Sequence, residues 1–193
     1  MSWTGVVLAG GRSQRFGGVD KTRLPLGGRT LLQRAVDALA PISTSCLVVG
    51  GGPVAGATSV PDQYPGAGPL GGVLTALEAI DTSHALILAV DLPFISGSLL
   101  RDVQRAGADA AAAVVLLPDG RLALCLSVRR ACAPAVREMW SRGARRVRDL
   151  ENLVPCRRVP AEARTAADAL WNINDPLTYA RALELAEHDC PAC

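Results

Sequence analysis

Lysine is almost missing from this sequence: of twenty basic residues only Lys21 is a lysine, and the rest are arginines. A chain so biased carries arginine wherever any cation serves, so a lysine marks a position that needs a compact ammonium rather than a planar fork. A large excess of either charge is missing too. The formal net charge is +2, too mild for a polyanion-coating surface, so neither nucleic acid nor an anionic membrane is expected as a partner. No window reaches the roughly 18 uninterrupted apolar residues of a membrane span. The first apolar run begins at Thr4 and leaves no room for a signal peptide, so a cytoplasmic protein is expected. Histidines number two, His84 and His188, and neither stands in a motif. The six cysteines, scattered through apolar segments except for the last pair, are expected to be free thiols. Cys190-Pro-Ala-Cys193 has CxxC spacing, but zinc wants about four ligands and only His188 lies near.

What is present is a chain of 193 residues, nearly half of them hydrophobic, enough to fill one sizeable core. One domain over residues 1–187, with a short tail over 188–193, is the expected organisation. The stretch around which the rest is organised is Leu8 to Lys21, L-A-G-G-R-S-Q-R-F-G-G-V-D-K. It follows the β-branched run Thr4 to Leu8, whose carboxyl end delivers Gly10 and Gly11 where a backbone without Cβ can approach an anion closely. Arg12, Arg15 and Lys21 put three cations within ten residues, and a polyanion such as a triphosphate explains that density best. The commoner phosphate loop is excluded, because a Walker A motif needs glycine directly before its lysine and here Asp20 stands there.

Further along, Thr30 can cap a helix to about Ala40 with Leu31, Leu32, Ala35, Val36 and Leu39 on one face, and Pro41 stops it. Cys46 to Val49 reads as a second parallel strand, buried on both faces because its apolar run is continuous, and it ends in Gly50, Gly51 and Gly52. Ala57 to Val60 is a short third strand with Asp62 just past its end. Gly66, Gly68 and Gly71 satisfy G-x-G-x-x-G, but five residues with two prolines separate them from that strand. The segment therefore reads as the start of a helix from Leu70 to Ile80, with Pro69 at its head. Ala85 to Val90 is the most apolar run and the expected central strand, and Asp91 terminates it. Ala110 to Leu117 and Leu122 to Val128 flank an Asp119-Gly120 reversal. Helices are expected over Ile95 to Ala106, Ala131 to Ser141 and Leu177 to Glu187. Strands alternating with helices predict an α/β fold: a doubly wound, mostly parallel sheet, Rossmann-like in plan.

The L-A-G-G loop with its arginine, glycine and lysine resembles the signature of nucleotidyltransferases that transfer NMP from NTP. With Gly17-Gly18 and V-D-K it is most similar to the molybdenum cofactor guanylyltransferases. The resemblance extends to G-P-L-x-G at Gly68, to Asp91-Leu92-Pro93 and to Asn172-Ile173-Asn174-Asp175-Pro176. It implies transfer of GMP from GTP to the terminal phosphate of molybdopterin carrying molybdenum, with release of pyrophosphate. It also implies nucleotide contacts from Leu8, Ala9, Gly10, Gly11, Arg12, Lys21, Gly50, Asp62 and Asp91, catalytic roles for Arg15, Lys21 and Asp91, and Mg²⁺ on Asp91 with a second oxygen from Asn174. Asn174 is expected at a strand end before a proline, and a structural asparagine in a turn is the equal alternative. Family members often carry an asparagine where Gly50 stands, and a proline preceded by a polar residue where this chain has Leu122-Ala123-Leu124-Cys125. Gly143 to Arg148, three arginines beside a glycine, reads equally as a holder for the acceptor's phosphate or as a solvated helix start. Two other readings stay open: a sister transferase with another base or acceptor, such as cytidylyl transfer or sugar phosphate activation, and an NTP-binding module without catalysis.

Overall fold

Short apolar runs covered on both faces build the centre of the molecule, as the continuous Val, Ile and Leu stretches require. A computed structural model describes residues 1–10, 19–161 and 170–188. In chain order the elements are β1 (Trp3–Leu8), β2 (Pro25–Leu26), β3 (Arg29–Thr30), α1 (Leu31–Leu39), β4 (Ser45–Val49), β5 (Thr58–Val60) and α2 (Pro69–Ala79). There follow β6 (His84–Ala89), α3 (Gly97–Ala108), β7 (Ala112–Leu116), β8 (Leu122–Arg129), α4 (Ala133–Ser141), β9 (Cys156–Pro160) and α5 (Pro176–His188). Seven strands form one sheet in the order β5-β4-β1-β6-β8-β7-β9, while β2 and β3 make a separate small hairpin. The sheet is parallel except at β8, which runs antiparallel to both β6 and β7. The expected doubly wound sheet is present, with β6 at its centre.

Alternation along the strands sorts the core into two layers. Val7, Leu86, Leu88, Ala113 and Val115 face α1, α3 and α5. Val6, Leu8, Ile87, Val114 and Leu126 face α2 and α4. The α1 stripe is the one the periodicity predicts, Leu31, Leu32, Ala35, Val36 and Leu39, and the Thr30 side chain accepts a hydrogen bond from the Gln33 N–H. Ser96 caps α3 in the same way through Leu99. His84 is a core residue that stacks on Trp3 at 4.5 Å between ring centroids. Burial first, then Arg129 and the N-terminus, hold it below the ordinary histidine pKa.

Among the described glycines, the closest approach to a neighbour is at Gly107, where α3 packs on the sheet. A Cβ built there would lie 2.0 Å from Ser127 Oγ and 3.3 Å from the Trp3 ring. The Ser127 hydroxyl donates to the Val103 carbonyl at 3.2 Å and is fully buried, so it cannot swing into solvent. Gly107→Ala is therefore expected to destabilise the fold by about 1–3 kcal/mol through overpacking. Removing the obstructing side chain with Ser127→Gly should recover part of that loss, and urea unfolding of the two single variants and the double variant measures both effects. Additive losses in the double variant would show that the two residues do not collide.

Candidate active site

The strand order reverses at β1. The chain runs outward from β1 to β4 and β5, then returns to place β6 on the other side of β1. Open α/β sheets bind ligands in the crevice at such a reversal, outside the carboxyl ends of the strands. Here four strand ends are tied together just beyond that edge. The Ala9 N–H donates to the Val49 carbonyl at 3.0 Å, the Val90 N–H to the Leu8 carbonyl at 3.1 Å, and the Gly50 N–H to the Val60 carbonyl at 3.0 Å. Gly10 and Gly50 consequently meet backbone to backbone. A Cβ on Gly50 would lie 3.0 Å from the Gly10 Cα and 3.2 Å from its nitrogen, and Gly50 has φ of +72°, so glycine is required there twice over. Asp62 completes this wall. Its Oδ1 accepts from the Tyr64 N–H at 3.0 Å and the Thr75 hydroxyl at 3.1 Å, which fixes the carboxylate against α2 and leaves Oδ2 beside Gly10.

Lys21 opens a one-turn 3₁₀ helix, Lys21–Arg23, which forms because the Asp20 carboxylate accepts from both the N–H and the hydroxyl of buried Thr22. The turn aims the lysine across the crevice, and its Nζ donates to Asp91 Oδ2 at 3.4 Å. Both side chains are largely sheltered, 15% and 22% exposed. The other carboxylate oxygen of Asp91, Oδ1, is buried without a hydrogen-bond partner among the described residues. Such an oxygen costs about 1–3 kcal/mol if nothing meets it, so its presence points to a cation or donor that arrives with a ligand.

Three contacts from distant parts of the chain set this pair in place. The Ile173 N–H donates to the Asp91 carbonyl at 3.0 Å. Arg34 donates through Nε to the Pro93 carbonyl at 3.2 Å and lies 5.6 Å from the centre of the Phe94 ring, joining α1 to the segment after Asp91. The Tyr179 hydroxyl donates to the Pro25 carbonyl, joining α5 to the hairpin that follows Lys21. Ile173 falls within the Asn172 to Pro176 motif, whereas Arg34 and Tyr179 do not stand out in the sequence. Asp20 carried a signal of its own, since Asp-x-Thr is an Asx-turn pattern.

Of the residues singled out from the sequence, Leu8, Ala9, Gly10, Lys21, Gly50, Asp62 and Asp91 converge on this edge, while Gly11, Arg12 and Arg15 lie outside the described residues, as do Gly17, Gly18, Cys190 and Cys193. The side chain of Leu8 points into the core, so only its backbone belongs to the edge. Asn174 follows the Ile173 contact and is exposed, but the segment before Pro176 is not a strand, and Asp175 intervenes before the proline. The Asn174 N–H is drawn to the Thr178 hydroxyl at 2.9 Å, which makes this a capping turn of α5 rather than a strand end. In Gly143 to Arg148 the arginines serve local ends. Arg145 donates to the Trp140 and Ala144 carbonyls and lies over the Trp140 ring, and Arg146 begins the 3₁₀ turn Val147–Asn152. Arg148 borders a separate cavity of about 390 Å³ with Leu116, Leu122 and Arg158.

Among the described residues no three His, Cys, Asp or Glu side chains converge as a ready metal cage, and no helix is long and apolar enough to cross a membrane. A family model described as the MobA-like NTP transferase domain matches residues 5–157. A molybdenum cofactor guanylyltransferase of Xanthomonas euvesicatoria pv. vesicatoria is 33% identical over 184 residues, covering 94% of each chain. A probable molybdenum cofactor guanylyltransferase of Chloroflexus aggregans is 45% identical over 107 residues, a match spanning about half the length of each protein, 52% and 51%. Among solved structures, the molybdopterin-guanine dinucleotide biosynthesis protein A of Archaeoglobus fulgidus superposes with TM-score 0.76 at 21% identity over 96% and 99% of the two chains. The protein Rv0371c of Mycobacterium tuberculosis H37Rv, solved in complex with manganese, has TM-score 0.70 at 18% identity over 95% and 99%. At those identities the two structures speak for the fold.

Proposed function

Because the chain belongs to the MobA-like NTP transferase family and is thus a nucleotidyltransferase, we propose that it moves GMP from GTP to the terminal phosphate of molybdenum-bearing molybdopterin and releases pyrophosphate. The working unit in this reading is residues 1–187. The observation that carries it is the Lys21 and Asp91 pair in the crevice beside Gly10 and Gly50, with one buried carboxylate oxygen left without a partner among the described residues. That oxygen is suited to a hard cation. A single carboxylate in place of a cage suits magnesium, which takes one or two protein oxygens and completes its shell with water and phosphate. Asp91 would hold Mg²⁺, with Asn174 offering a second oxygen, and the ion would neutralise charge on the triphosphate.

The other roles follow from the residues themselves. The backbone at Gly10 and Gly11 receives the phosphates, with Arg12 beside it. Lys21 and Arg15 supply positive charge where the α-phosphoryl group changes hands. An acceptor phosphate monoester is already largely a dianion near neutral pH, so no general base is required. That agrees with a chain in which His84 is a buried core residue. Catalysis is then positioning and charge neutralisation.

Base choice rests on backbone groups and on Asp62, since Gly50 has no side chain to offer. The Leu8 carbonyl and the N–H groups of Ala9 and Gly50 are engaged by the sheet, which leaves Gly10, the Gly51 to Gly52 stretch and Asp62 Oδ2 to read guanine. Each polar group left unpaired costs a ligand about 1–3 kcal/mol. GTP is accordingly expected to bind about tenfold more tightly than ATP, and competition binding with Mg²⁺ present measures the ratio. Equal affinities, or a preference for CTP, would overturn the guanylyl assignment and make the protein a sister transferase with another base.

A further inference from the structure

We propose that Lys21 is a resident placeholder for the metal at Asp91, so that divalent cation and nucleotide bind cooperatively and the ligand-free site discriminates against the metal alone. The inference rests on the reading of Asp91 as the metal carboxylate. It goes beyond that reading because it assigns Lys21 a competing role in the ligand-free protein, in addition to a phosphate contact.

The ligand-free geometry carries it. Lys21 Nζ lies 3.4 Å from Asp91 Oδ2 with both side chains largely buried, so the carboxylate already has a monovalent counter-cation in a sheltered crevice. A divalent cation reaching Oδ1, which has no partner among the described residues, would sit on the same carboxylate as the ammonium. Two cations on one carboxylate repel strongly where water is scarce, so metal binding weakens the lysine's hold on Asp91. An arriving triphosphate changes the balance. It offers Lys21 a better anionic partner, draws the ammonium away and leaves Asp91 open, while the metal in turn shields the phosphates from the carboxylate. Each ligand removes an obstacle to the other, and the coupling is reciprocal by linkage. The turn that holds Lys21 allows such a shift. It is a single 3₁₀ turn held by Asp20 and Thr22, so the four-carbon stem can swing while the backbone stays.

The test is Mn²⁺ binding followed by electron paramagnetic resonance, with and without α,β-methylene GTP, in the wild type and in Lys21→Met, Arg23→Met and Asp91→Asn. In the absence of nucleotide, Lys21→Met is expected to bind Mn²⁺ about tenfold more tightly than the wild type, and the enhancement of Mn²⁺ affinity by the nucleotide analogue should shrink by a similar factor. Arg23→Met removes a positive charge from the same turn, but one 79% exposed and paired to Asp20. It should leave Mn²⁺ affinity within about twofold, which separates displacement at Asp91 from a general change in local charge. Unchanged or weaker Mn²⁺ binding in Lys21→Met, or an equal gain in Arg23→Met, overturns the placeholder. Asp91→Asn decides which idea has failed. If it loses Mn²⁺ while Lys21→Met gains none, the placeholder alone is wrong; if it retains full Mn²⁺ affinity, the metal assignment falls and the placeholder falls with it.

Discussion

Asp91→Asn is expected to lower nucleotidyl transfer by about two to three orders of magnitude, equivalent to roughly 3–4 kcal/mol of barrier, while the fold survives. The substitution is nearly isosteric and removes one negative charge from a strand-end position that packs nothing essential. Among the described residues the one side-chain bond lost is the 3.4 Å contact to Lys21, and the backbone bond from Ile173 to the Asp91 carbonyl remains. Thermal unfolding should move by no more than a few degrees, as for the loss of a partly exposed pair in a chain of this size. Steady-state pyrophosphate release with GTP, acceptor and Mg²⁺ gives the activity. Undiminished turnover would remove Asp91 from the site, and a collapsed melting transition would make it a structural residue instead.

The second large effect is expected at Lys21. Replacing it by arginine keeps the charge but changes its shape, and kcat/KM should fall by about thirty- to a hundredfold, or about 2–3 kcal/mol. The lysine stem occupies a slot only 15% exposed, and its ammonium meets Asp91 through a single contact. A guanidinium would need more room in that slot and would fork onto both carboxylate oxygens, occupying the one left open and holding Asp91 more firmly than lysine does. The loss should appear mainly as weaker metal and nucleotide binding rather than as instability. Full activity in Lys21→Arg would show that any cation suffices, and that the solitary lysine in a chain of arginines carries no meaning.

Much of this architecture was legible in the residues because it follows from local pattern. The α1 stripe and its Thr30 cap are set by 3.6-residue spacing and by one side-chain oxygen, and β4 and β6 announce themselves as unbroken apolar runs because helices cover both faces of the sheet. The Asp119-Gly120 reversal was equally plain, with Gly120 at φ of +79°. What it does to the sheet was not. That β8 inserts antiparallel between β6 and β7 is decided by pairing across the sheet, which no local signal encodes. The small β2 and β3 hairpin escaped for a related reason: two-residue strands around Gly27 and Gly28 have no periodicity to detect. At the site, the strand-end carboxylate and the lone lysine could be singled out by type and place. That they face each other across 70 residues of sequence could not. The segment before Pro176 is not a strand, because the Thr178 hydroxyl turns it into a helix cap, a side-chain contact that alternating polar and apolar residues before a proline do not announce.

The contacts from Ile173 to Asp91 and from Tyr179 to Pro25 also determine when the crevice can exist during synthesis. The second of these spans 154 positions. A ribosome delivers Lys21 well before Asp91, yet the hairpin beyond the lysine and the segment carrying the carboxylate receive these hydroxyl and backbone bonds only from Tyr179 and Ile173, which emerge later still. Closing so long a loop is entropically slow relative to forming β1, α1 and β4. The sheet can therefore assemble vectorially from its amino-terminal strands while its ligand edge stays open, and the crevice is finished only once Ile173 and Tyr179 have joined it.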